Sequence, residues 1–61
     1  MLKAIYANTW EALTVKMLGY YHDHCHHYYI GPTDNLPSEF KNFKKSIIKY
    51  VFIFEEDEPL T

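Results

Sequence analysis

The apolar positions of this chain change their spacing from one segment to the next. Residues 2–7, LKAIYA, alternate loosely and carry Ile5 and Tyr6, which predicts a first strand. From NTWEAL onward the spacing widens. Trp10, Leu13, Met17 and Tyr20 or Tyr21 recur at three- and four-residue steps, as along one face of a helix. Asn8 stands where an N-cap would accept a backbone hydrogen bond, with Glu11 at capping-box spacing after it. Gly19 weakens the end of such a helix by about 1 kcal/mol relative to alanine.

Residues 26–30, HHYYI, predict a second strand, and GPTDNLP ends it with the turn chemistry of Pro32, Pro37 and an Asp-Asn pair. SEFKNFKKS predicts a short helix capped by Ser38, with Phe40, Phe43 and Ile47 inward. The strongest strand signal is IIKYVFIF, residues 47–54, whose two alternating sets are both mainly apolar. Such a strand belongs at the centre of a sheet. One face would meet the helix and the other a second chain or an exposed patch.

The expected fold is therefore α+β, a two-layer β-α-β-β unit: a three-stranded sheet, one main helix and a short second helix. The alternative is an antiparallel helical hairpin. Phe40, Phe43, Ile47, Tyr50 and Phe54 also keep helical steps across 38–56, but Ile48, Phe52 and Ile53 would fall off that stripe.

Sixty-one residues form one small domain. A chain of that length buries only about 60% of its unfolded surface, so something must supplement the core. A single cysteine, Cys25, excludes an intrachain disulfide. A metal, a partner chain or dense aromatic packing remains, and the chain carries one tryptophan, six tyrosines and four phenylalanines. MLKAIYANTWEAL shows no export leader, and no apolar run approaches the ~20 residues that cross a bilayer. The expected location is the cytoplasm, with no membrane partner.

Net charge is −2 and unevenly placed: Lys41, Lys44, Lys45 and Lys49 cluster, and EEDE follows at 55–58, read as an acidic tail over 55–61. Arginine is absent, which argues against direct nucleic-acid binding by base reading or phosphate forks. The acidic run would also suit mimicry of a phosphate backbone. Lys, Asn, Ile, Tyr and Phe are plentiful while Ala, Gly and Pro are sparse, as AT-rich coding DNA produces. In size and composition the chain resembles the small accessory proteins of phages and mobile elements. That resemblance implies an inhibitor or adaptor acting on a host defence or regulatory protein, in the host cytoplasm.

The chemistry is concentrated in YYHDHCHHYY, residues 20–29. If helical, this stretch sets His22 beside His26 and Asp23 beside His27; if extended, His22, His24 and His26 share a side. With Cys25 as a soft ligand, His22, His24, Cys25 and His26 are candidate zinc ligands that a dimer would complete. Charging of the histidines between pH 7 and 5 would loosen any interface they line. A Cys-His nucleophile is disfavoured because immediate neighbours point apart, and so short a chain has little room for a substrate cleft. No enzyme is expected.

The tyrosines have two readings. Tyr21 on the helix closes over Tyr29 on the next strand, or one tyrosine of each pair turns outward to bind a partner. The expected protein-binding surface comprises Tyr20, Tyr21, His24, His26, Tyr28 and Tyr29, with Glu55 and Glu56 at the acidic end. The expected function is protein binding by a homodimer, and the alternative is a metal-binding or metal-sensing module.

Overall fold

A computed structural model describes residues 2–21, 24–45 and 47–56. The chain folds as α+β: strand β1 (Leu2–Ala7), helix α1 (Trp10–Met17), strand β2 (Cys25–Pro32) and strand β3 (Tyr50–Glu56). The three strands form one antiparallel sheet in the order β1-β3-β2. The most apolar strand thus takes the centre, where both of its edges and both of its faces are covered. The helical hairpin is excluded, because 50–56 is strand.

Strand alternation sends β3 in two directions. Phe52 and Phe54 join Ala7, Leu13 and Met17 in a core between sheet and helix. Val51 and Ile53 face the other way, against Phe40, with Leu36, Phe43, Tyr6 and Tyr29 around them. This second core corrects the expectation of a partner chain on that face. Residues 33–45 of the same chain cover it, through 3-10 turns at Thr33–Asn35 and Ser38–Phe43. All four residues 51–54 are almost fully buried.

The local expectations need further correction. Thr9, not Asn8, caps α1; its hydroxyl accepts the Ala12 N–H at 3.1 Å. The helix is short and passes into a 3-10 turn at Leu18–Tyr20, so only Leu13 and Met17 of its expected face are fully buried. Trp10 stands half out of the core, its ring edge-on to Tyr50 at 6.0 Å. Ser38 makes no side-chain cap, and Ser38–Phe43 is 3-10 rather than α. Ile47, expected inside, is 84% exposed. Strand β3 begins at Tyr50, three residues later than expected, and runs through Glu55 and Glu56. Those two carboxylates therefore belong to the sheet; the rest of the expected acidic tail lies outside the described residues.

Candidate functional site

Strand β2 carries the second half of YYHDHCHHYY, from Cys25 on, and forms one edge of the sheet. Its register against β3 pairs Cys25 with Glu56, His26 with Glu55 and His27 with Phe54; it then shifts, so that Tyr29 meets Ile53 and Ile30 meets Phe52. The shift is a bulge between His27 and Tyr29, and it breaks simple alternation. Before the bulge, Cys25 and His27 lie on the helix side and His26 on the other. Past it, Tyr29 lies against the second core and Ile30 returns to the helix side.

The expected binding residues consequently divide between two faces. On the side of residues 33–45, the Tyr28 hydroxyl donates to Glu55 Oε1 at 3.2 Å and its ring lies 6.1 Å from that of Phe40. Tyr29 is half-buried beside it, and its hydroxyl donates to the Pro32 carbonyl at 2.6 Å. Tyr28 and Tyr29 both lie on this face, with Tyr29 packed on the core and Tyr28 50% exposed. On the helix side, Tyr20 is part of the core, its ring 4.5 Å from Phe54. Tyr21 is exposed and lies edge-on to His27 at 5.4 Å, not against Tyr29. Glu56 accepts from Lys3 Nζ at 3.0 Å; this hydrogen bond, and then the carboxylate's charge, raises the Lys3 pKa above its ordinary value. His24 is an exposed turn residue just before β2.

The same geometry bears on metal binding. Cys25 is half-buried at the margin of the helix-side core, and strand alternation turns His26 to the opposite face. His22 and Asp23 lie outside the described residues. Among the described residues, no three His, Cys, Asp or Glu side chains are grouped to hold a metal ion. The opposed faces also keep His26 from serving as a base for the Cys25 thiol.

A different group emerges on the helix side. With α1 ending at Met17 and its buried residues directed onto β1 and β3, the β2 margin of that face is left partly open. His27 stands perpendicular to Phe52 at 4.8 Å, and its Nε2 lies 3.2 Å from the Tyr20 carbonyl oxygen. On the same side of the sheet Tyr21 (58%), beside His27, Ile30 (36%) and, against Tyr50, Trp10 (46%) are exposed. Ile30 and Trp10 were not expected here. Trp10 follows the helical spacing of Leu13 but opens α1 as its first residue, at the end of the helix.

A shallow depression of about 410 Å³ lies at the end of β1, lined by Tyr6, Ala7, Asn8, Thr9, Ala12, Lys16 and Ile48. Lys16 Nζ donates to the Tyr6 carbonyl at 2.9 Å, and the lining offers no carboxylate, imidazole or thiol for acid–base or nucleophilic work. No helix among the described residues is long and apolar enough to cross a membrane. No protein-family model matches the chain, and no curated protein or solved structure shows significant similarity to it.

Proposed function

We propose that this protein is a small non-enzymatic binding protein that attaches to another protein through the helix-side margin of β2. One observation carries the reading: on the helix side of the sheet Tyr21, Ile30 and Trp10 are exposed, Tyr21 edge-on to His27 and Trp10 edge-on to Tyr50. Aromatic side chains held by neighbouring rings lose little entropy on contact, which is why such residues dominate binding energy at interfaces. The Tyr21–His27–Phe52 ring series ties Tyr21 to the core.

The resemblance in size and composition to phage accessory proteins supports a blocking or adaptor role for that contact. The test is affinity capture from extracts of the host cell with the wild-type chain and with a Tyr21→Ser/Ile30→Glu variant. Wild type is expected to retain a defined partner that the folded variant loses. Identical capture by both would reject this margin as the binding surface. Light scattering on the same two samples tests self-association: a two-chain mass falling to one chain in the variant would assign the margin to a homodimer.

A further inference from the structure

The sequence carries a second unassigned feature, the lysine cluster, and the fold places its last member, Lys49, just before β3, at the end of that strand opposite Glu55 and Glu56. Segment 41–49, KNFKKSIIK, holds four lysines and no acid. Lys41, Lys44, Lys45 and Lys49 are all exposed. The segment is anchored at its base. Thr33, 3% exposed, donates its hydroxyl to the Ile48 carbonyl at 2.7 Å and its N–H to the Lys49 carbonyl at 2.9 Å. The Ile48 N–H returns to the Lys45 carbonyl at 3.3 Å, and Lys45 lies over the Tyr6 ring at 5.4 Å. Between these fixed points stands Ile47, 84% exposed, the most exposed large hydrophobic residue among the described residues.

We propose that this loop is a peripheral contact for an anionic lipid surface, with Ile47 entering the headgroup region and the lysines around it meeting lipid phosphates. Charge complementarity selects the occupant. A second copy would bring four like charges against four, and Asp34 meets Lys44 only at 3.7 Å across two exposed side chains. The loop has lysines as point charges and no arginine forks, which suits a diffuse anionic plane better than geometric reading of nucleic acid. Ile47 is 84% exposed, which suits insertion into a deformable phase. Strand β3 separates Lys49, at the base of the loop, from Glu55 by about 20 Å, at ~3.3 Å per residue. This contact is independent of the β2 margin and stands whether or not that margin binds a protein.

The experiment is flotation of the purified chain with vesicles of phosphatidylcholine and of phosphatidylcholine mixed with phosphatidylglycerol. The chain is expected to float only with the anionic vesicles at low salt and to be released at high salt. Lys44→Gln/Lys49→Gln is expected to cut partitioning by roughly twenty-fold, about fivefold per lysine. Ile47→Asn, at an exposed position with little bearing on folding, is expected to weaken binding several-fold and leave the salt dependence in place. No flotation of wild type, equal flotation with both vesicles, or an Ile47→Asn chain that binds like wild type would each overturn the proposal. So would binding to duplex DNA as tight as to the anionic vesicles, which would mark general affinity for polyanions.

Discussion

The hydroxyl of Tyr6 donates a 2.7 Å hydrogen bond to the carbonyl oxygen of Phe43, tying the first strand to a segment 37 residues later. The bond closes the second core at its rim and holds residues 33–45 over Val51 and Ile53. Removing the hydroxyl by Tyr6→Phe keeps the ring and leaves the Phe43 carbonyl short of a donor. The expected loss is about 1 kcal/mol in urea unfolding. An unchanged midpoint would show that water replaces the bond at no cost.

The same hydroxyl makes stability depend on alkaline pH. Burial raises the Tyr6 pKa above its ordinary 10.0, because the phenolate is the form that loses solvation. Above the ordinary value the unfolded chain releases this proton while the folded chain still holds it. The unfolded state then binds fewer protons, so stability falls as pH rises. Thermal unfolding of wild type and Tyr6→Phe across this range is expected to show the wild-type advantage shrinking with rising pH. An advantage that stays constant would contradict the assignment.

Phe40 is the buried aromatic side chain that 33–45 places on the second face of β3, and it is 8% exposed. Phe40→Ala is expected to cost about 3–5 kcal/mol, as for other buried aromatic truncations. Because the covering segment belongs to the same chain, the loss should be equal at low and high protein concentration. A loss that depends on concentration would indicate a second chain over that face.

Gly31 sits on β2 at φ 155°, and a Cβ there would lie 3.2 Å from the Tyr29 hydroxyl oxygen. That hydroxyl is held by its bond to the Pro32 carbonyl, so it yields only by breaking the contact. Gly31→Ala is expected to cost about 1–3 kcal/mol, the range for a residue forced into a sparsely populated backbone region. Chemical denaturation measures it, and Tyr29→Phe should lower stability by a smaller amount.

The cap of α1 separates two adjacent residues. Thr9→Ala removes the acceptor for the Ala12 N–H and is expected to cost about 1 kcal/mol, whereas Asn8→Ala should change little. Equal effects in a thermal melt would return the cap to Asn8.

What the sequence determined by itself is the class of the fold and the identity of its central strand. VFIF has no polar position on either face, so it is stable only where both faces are covered. Leu13 and Met17, one helical turn apart, likewise specify the side of α1 that meets the sheet. The 3-10 character of Ser38–Phe43 was not legible, since its aromatic spacing suits an α-helix equally well. The tertiary structure decided what covers each face. Residues 33–45 reach the far side of β3 through long-range bonds, Thr33 to Ile48 and Tyr6 to Phe43, that no local spacing reveals. Pairing with Leu2 and His26 on its two sides draws Glu55 into β3, and pairing with Cys25 carries the strand on to Glu56. The bulge in β2 decided the fate of the histidine and tyrosine cluster. By shifting register at Tyr28 it sends Tyr28 and Tyr29 to one side and leaves His27 with Tyr21 on the other. A period of two cannot report that shift, because a bulge is set by the partner strand and not by the residues within it.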